Sequence, residues 1–287
     1  MKYFFIPVSD RFIFPCLNLI GSIRKYNKDC YIFLGDLGLS EQSVDTIRRI
    51  KNTSILEMEV QFLNMIHETN WPKEYMMKYI LPWKLSNKID RVLCLGADML
   101  VQGDLSSLFD IDFKDNAFAA AVEMAGNICD YRNELYAELP ADRLYVNAEM
   151  IMINCNYFRE KYTAIKLLEE FASIQDRLLY YDQDFINICF YNKIIPLSPA
   201  YNCQLRELNT RNEMRDGLCH AKIIHYSANP KPWNWKCRPN WVLDYYKRSC
   251  RIAKRKIRKT FLASCVLYYP YKVVDKSTKM VRKVMKR

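Results

Sequence analysis

The sequence predicts an α/β fold with a mostly parallel central sheet, on three observations. Short apolar runs alternate with stretches of helical periodicity. Half of the 287 residues are hydrophobic and 14% are aromatic, enough for a sizeable core and incompatible with wholesale disorder. No internal repeat and no Pro- or Gly-rich linker divides the first 240 or so residues, where the alternation lies.

The elements follow in order. Lys2–Val8 reads as a first strand, because apolar residues run without interruption up to Ser9-Asp10-Arg11. Leu17, Ile20 and Ile23 recur at helical spacing within 15–24. Residues 30–34 form a second strand. Residues 39–50 form a helix, with Ser40 ahead of it and Glu41 and Gln42 in its first turn. A third strand covers 54–60, a helix 74–85, and a fourth strand Arg91–Leu95, which ends in Gly96-Ala97-Asp98. A further helix spans 185–190, with Asp182 expected as its cap. Ligands of such sheets sit beyond the carboxyl ends of the strands, which singles out the turns after Val8 and Leu95.

Charge divides the chain in two. The formal net charge is +11, yet the segment from Lys247 to Arg287 holds fifteen Lys or Arg and one acid, Asp275. The remainder is slightly acidic. The expected organisation is therefore one α/β domain over 1–243 and a basic tail over 244–287. In the tail, Cys250, Ala253, Ile257, Phe261 and Cys265 form an apolar stripe at helical spacing, followed by Tyr268, Tyr269 and Tyr271 around Pro270. Basic residues beside aromatics fit a helical segment lying on an anionic membrane surface. A solvated helix packed on the body and a nucleic-acid footprint are the other two readings of the same composition. No apolar run reaches the roughly 18 residues of a spanning helix, and the start is too short for a secretory signal. The eleven Cys are odd in number and form no C-x-x-C pair, which fits reduced thiols in a cytosolic protein rather than a disulfide frame or a zinc site.

Five segments carry the chemistry. They are Phe5-Ile6-Pro7-Val8-Ser9-Asp10-Arg11-Phe12, Tyr75-Met76-Met77-Lys78, and Arg91 to Leu105 around Gly96-Ala97-Asp98. The fourth is Tyr145-Val146-Asn147-Ala148-Glu149-Met150. The fifth pairs Tyr181-Asp182-Gln183-Asp184 with His225-Tyr226-Ser227-Ala228-Asn229-Pro230-Lys231-Pro232-Trp233. In this order, over about residues 1–240, the set resembles the family 8 glycosyltransferases, and within them the bacterial lipopolysaccharide galactosyl- and glucosyltransferases.

The resemblance implies a GT-A nucleotide-sugar-binding fold and transfer of a hexose from a UDP-sugar with retention of configuration, with Mn²⁺ (or Mg²⁺) as cofactor. It assigns Asp98 and His225 to the metal and Lys231 to the phosphates. It places Val8, Ser9, Arg11, Lys78, Ala97, Asp98, Glu123, Asn147, Ala148, Gln183 and Lys231 around the nucleotide sugar. Gln183 is expected near the anomeric carbon, and Asp184 as nucleophile or stabiliser of the transition state. Chemistry agrees in kind: a departing diphosphate needs cationic stabilisation, and carboxylates with an imidazole suit Mn²⁺. Taken singly, Asp98 also reads as a strand-end turn former, His225 as a core histidine and Glu123 as an isolated acid.

The chain departs from the family pattern at several places. Gly96 stands where the first Asp of the D-x-D motif is expected, and Glu149 stands where the family has Gly after Asn-Ala. Lys78 replaces an Arg, keeping charge but not the bidentate fork. Glu149 is expected to supply the carboxylate that Gly96 lacks, which requires it within about 8 Å of Asp98, one bridging water away. The expected function is extension of a lipid-linked surface glycan, such as lipopolysaccharide or capsule, on the cytoplasmic face of the plasma membrane. The alternative is a non-catalytic nucleotide-sugar-binding protein of the same fold.

Overall fold

In the computed structural model, residues 1–57, 64–67, 73–127, 136–137, 139–140, 142–205, 217–227, 231–233 and 246 are described. Ten strands run through them: β1 (Lys2–Val8), β2 (Cys30–Asp36), β3 (Thr53–Leu56), β4 (Arg91–Leu95), β5 (Met99–Val101), β6 (Phe118–Asn127), β7 (Leu144–Asn154), β8 (Ile194–Leu197), β9 (Cys203–Gln204) and β10 (Ile223–His225). The longer helices are α1 (Ile13–Tyr26), α2 (Glu41–Arg48), α3 (Cys155–Lys161), α4 (Ala164–Ile174) and α5 (Asp182–Cys189).

Seven strands form the main sheet in the order β3-β2-β1-β4-β7-β6-β8. The pairs β3/β2, β2/β1, β1/β4 and β6/β8 are parallel, whereas β7 runs antiparallel to both of its neighbours. Both faces are covered, which is why the strands read as continuous apolar runs. Phe4, Ile6, Val8, Leu93, Leu95, Met150 and Met152 enter one core, and Phe5, Val92, Cys94, Ile151 and Ile153 the opposite one. That division is the two-residue period of a strand expressed in packing. A second sheet, β5-β10-β9, begins where the chain turns away after β4.

β1 and β4 have the predicted bounds. α1 is longer than expected, because a 3-10 turn at Asp10–Phe12 feeds it directly and Asn27 closes it through its backbone N–H on Ile23 O. α2 starts as expected, with the Ser40 side chain accepting from Ser43 N. The predicted helix 74–85 is instead a 3-10 run, Lys73–Ile80, followed by one α-turn, Leu81–Lys84. Pro82 lies in the first turn of that α segment and has no N–H to give, so a helix running through it would lose a bond. The strand expected at 54–60 is observed as Thr53–Leu56, and residues 58–60 lie outside the described residues.

α5 starts at Asp182, three residues before the expected position. Its N-cap is Tyr181, and Asp182 does not cap it. Among the described residues no helix is long and apolar enough to cross a membrane. The seven described cysteines are all free. The tail lies outside the described residues except for Tyr246, just past the expected boundary at 243. Its ring is buried against Phe14, Tyr226 and Trp233.

Candidate active site

The site assembles where β1 and β4 end beside the middle of β7, and β10 meets them. Phe4 and Phe5 of β1 pair with Leu93 and Cys94 of β4, so the turns after the two strands are neighbours. The Gly96-Ala97-Asp98 turn is fastened on two sides. Gly96 N–H donates to Glu149 O at 3.2 Å, and Tyr226 N–H donates to Asp98 O at 3.0 Å.

Three predicted residues converge through Asp98. Lys231 Nζ lies 2.7 Å from Oδ2 and also donates to Tyr226 O at 2.6 Å. His225 Nε2 lies 3.5 Å from Oδ1. Burial would raise the Asp98 pKa, but the adjoining His225 and Lys231 outweigh it and hold the carboxyl well below the usual range. His225 Nδ1 is 3.0 Å from Asn202 Oδ1, which leaves Nε2 as the ring nitrogen turned toward Asp98. An imidazole nitrogen and a carboxylate oxygen placed this way can share a proton or ligate one metal ion.

Glu149 lies opposite Gly96. Leu95 pairs with Met150 in the antiparallel β4/β7 ladder, so Gly96 and Glu149 are the next cross-strand pair. A Cβ on Gly96 would meet Glu149 Oε2 at 2.7 Å and Asp98 Oδ1 at 3.0 Å. Both carboxylates therefore border one point in space, inside the limit of about 8 Å set by one bridging water. The donor types fit a divalent ion of the Mn²⁺ or Mg²⁺ kind. Among the described residues, no three His, Cys, Asp or Glu side chains are already drawn together around an ion-sized position.

A second group lies along β7. Asn147 Nδ2 donates to Glu123 Oε2 at 2.8 Å, and Gln204 Nε2 donates to Glu123 Oε1. The β6/β7 register shifts between Ala120 and Val122 and again after Val122. Irregularities of this kind re-aim side chains, and they bring Glu123 and Asn147 together here. Gln183 Oε1 accepts from Ala148 N at 3.3 Å, tying α5 to the same strand. Asn187 strengthens the tie, with Nδ2 donating to Val146 O and Oδ1 accepting from Val146 N.

Lys78 is buried, and its Nζ lies 2.7 Å from both Asp182 and the Ala148 carbonyl oxygen. Burial works against its charge, but Asp182 and Glu149 more than compensate and raise its pKa. Asp182 is thus the ion-pair partner of Lys78 rather than a helix cap. It also accepts from Tyr79 Oη at 3.1 Å. Tyr181, just before it, has φ +50°, an unfavourable conformation for an aromatic residue. The turn is held by Asp184, whose carboxylate is fully buried. Oδ1 accepts from Tyr136 and Tyr145 at 2.5 and 2.6 Å, and Oδ2 from the N–H groups of Leu179 and Tyr180 at 2.7 Å each. Four donors on a fully buried carboxylate mean that Asp184 positions residues 179–181. Gln183 is left as the member of the pair that faces β7.

Val8 closes β1 with its side chain buried. Ser9 precedes the following 3-10 turn and Arg11 is its middle residue, and Phe12 at its end meets Trp233 with ring centroids 5.9 Å apart. That contact brings the first turn beside the Lys231-Pro232-Trp233 segment. Sequence reasoning did not single out Asn202 or Gln204 and gave Asp182 a different task. Their signal lies in β9 and β10, which pair His225 with Gln204, and two-residue strands leave no readable periodicity.

A family model described as glycosyl transferase family 8 matches residues 4–237. The lipopolysaccharide 1,3-galactosyltransferase of Salmonella typhimurium is 28% identical over 188 residues, 62% of this chain and 54% of that protein. The chain thus spans about half the length of that relative. The lipopolysaccharide glucosyltransferase WaaO of Escherichia coli is 24% identical over 248 residues, 82% of this chain and 71% of that one. Among solved structures, the galactosyltransferase LgtC, in complex with donor and acceptor sugar analogues, superposes with a TM-score of 0.70 at 17% identity, covering 90% of this chain and 97% of that one. The likeness shows a GT-A fold. With the family model spanning most of its length, the chain belongs to glycosyl transferase family 8.

Proposed function

We propose that the protein is a retaining glycosyltransferase that moves galactose or glucose from a UDP-sugar to a lipid-linked surface glycan such as lipopolysaccharide or capsule. The observation that carries this reading is the convergence of Lys231 and His225 on Asp98 beside the ends of β1 and β4. A divalent ion, Mn²⁺ or Mg²⁺, held by Asp98 and His225 would stabilise the negative charge that develops on the departing diphosphate. Lys231 spans Asp98 and the Tyr226 carbonyl, so its ammonium is on hand for a phosphate oxygen that outcompetes them. Glu123 and Asn147 form a fixed hydrogen-bonding wall suited to sugar hydroxyls. Gln183, held by α5 against Ala148, is assigned to the anomeric side, and Lys78 fixes Asp182 next to it. Ser9, Arg11 and Ala97 are assigned to the nucleotide. The basic tail over 244–287 is assigned to the anionic inner face of the plasma membrane, where a lipid-linked acceptor would be met.

The missing carboxylate at Gly96 favours one other reading, a nucleotide-sugar-binding protein without turnover. UDP release from UDP-galactose, UDP-glucose and UDP-N-acetylglucosamine, each with Mn²⁺ and with EDTA, separates the two. Slow hydrolysis of one donor, lost in Gln183→Ala, is the expected result. Donor binding without release, even with lipid-linked acceptor, would replace the transferase by the binding protein. Sedimentation with anionic liposomes at physiological salt, lost on removal of 247–287, is the matching test of the tail.

A further inference from the structure

Gly96 has no side chain at the place where the neighbouring strand sets down a carboxylate. The fit is close: the position of a Cβ on Gly96 is 2.7 Å from Glu149 Oε2 and 3.0 Å from Asp98 Oδ1. Any larger residue at 96 would have to displace Glu149, and any smaller acid on β7 would leave the gap open. The Glu149 backbone is pinned on both sides, its carbonyl by Gly96 N–H and its own N–H by Asn147 Oδ1 at 2.9 Å. The carboxylate is therefore delivered to this spot by the β4/β7 register. Among the described residues, no side chain forms a hydrogen bond or ion pair with it. The nearby ammonium of Lys78 is taken by Asp182 and the Ala148 carbonyl oxygen. Asp98 already holds the Lys231 ammonium on Oδ2 and faces His225 Nε2 with Oδ1, whereas the half-buried Glu149 carboxylate beside it has no cation of its own, so the pair of carboxylates calls for one more positive charge.

We propose that Glu149 is a ligand of the divalent ion at this site, and that Gly96 and Glu149 form a compensated pair in which the ligand has moved from the β4 turn to β7. The proposal rests on the donor-sugar reading only for the presence of the ion. It predicts a coordination set drawn from β4, β7 and β10, so that metal binding depends on the register between β4 and β7.

Mn²⁺ binding to the full chain, read by electron paramagnetic resonance with and without UDP, tests this directly. Glu149→Gln is expected to weaken Mn²⁺ at least tenfold. Gly96→Asp alone is expected to weaken it as well, because the new side chain meets Glu149. Gly96→Asp combined with Glu149→Gly is expected to bind within about threefold of the parent, since it returns the carboxylate to the turn. Parent-like Mn²⁺ affinity in a Glu149→Gln chain with an unchanged melting curve would overturn the proposal. Should that variant melt early, the double variant decides: recovered Mn²⁺ binding supports the swap, and its absence overturns it. UDP release that survives EDTA, with no Mn²⁺ bound, would overturn the proposal and leave the transferase standing. Glu149-dependent Mn²⁺ binding without turnover of any UDP-sugar would do the reverse.

Discussion

Lys78 and Asp182 form an ion pair across 2.7 Å of protein interior, each almost fully covered. The pair joins the 3-10 run Lys73–Ile80 to the first residue of α5, and the Ala148 carbonyl oxygen accepts a further hydrogen bond from the same ammonium. Three separate stretches of chain are thus held by one cation. Lys78→Met leaves Asp182 buried and unpaired, and about 3–5 kcal/mol of stability should be lost. Urea denaturation checks this. Lys78→Met combined with Asp182→Leu should lose clearly less than the two single changes added together.

Asp184 and Gln183 should separate when stability and turnover are read side by side. Asp184→Asn sets an amide N–H₂ against donors now satisfied by a carboxylate, and should cost about 3 kcal/mol. Gln183→Ala removes the 3.3 Å contact to Ala148 and a side-chain hydrogen bond with Tyr145, and should still leave the melting temperature within a few degrees. Donor hydrolysis should nevertheless be lost in Gln183→Ala. If Asp184→Asn melts like the parent and is still inactive, Asp184 regains a direct role in the reaction.

Asn187 copies a strand edge with its side chain, bonding both backbone groups of Val146. Asn187→Leu preserves volume and abandons both bonds, leaving a buried N–H and C=O unmet. A loss of about 2–4 kcal/mol in chemical denaturation is expected. α5 also carries Gln183, so UDP release should fall with it.

Thiol labelling should follow burial. Burial, with the negative charge of Glu170 and the hydrogen bond that the thiol donates to it, pushes the Cys189 thiol up to about 12. Burial acts likewise on Cys155, also to about 12, where Arg159 opposes it only in part. Cys219 is exposed. At pH 8, mass spectrometry after brief alkylation should find Cys219 modified and Cys16, Cys94 and Cys155 untouched. Early modification of Cys94, in the middle of β4, would mean that the main sheet opens readily.

Much of this architecture was legible because the signals are local. β1 and β4 announce themselves as uninterrupted apolar runs, and Ser40 caps α2 through its own side chain. The convergence of Asp98, His225 and Lys231 was legible through the resemblance to the family 8 glycosyltransferases, since Asp98 and His225 taken singly read as a turn former and a core histidine. What could not be read is set by register. Glu149 was expected near Asp98 from the two departures from the family pattern, but the cross-strand position that sets it opposite Gly96 follows from how β4 and β7 pair. The same holds for Asp182, which resembles a cap by position and is claimed by Lys78 from a distant part of the chain. The positioning task of Asp184 was equally hidden, because its four donors come from residues 136, 145, 179 and 180, which only folding gathers.

Tyr246 works as a mooring. Its ring is wedged against Trp233, two residues beyond Lys231, and the basic run begins at the very next position, Lys247. The cluster of Tyr246 with Phe14, Tyr226 and Trp233 therefore fixes the point where the basic run leaves the body, beside the Lys231-Pro232-Trp233 segment. Tyr246→Ser would unfasten that point without touching any charge.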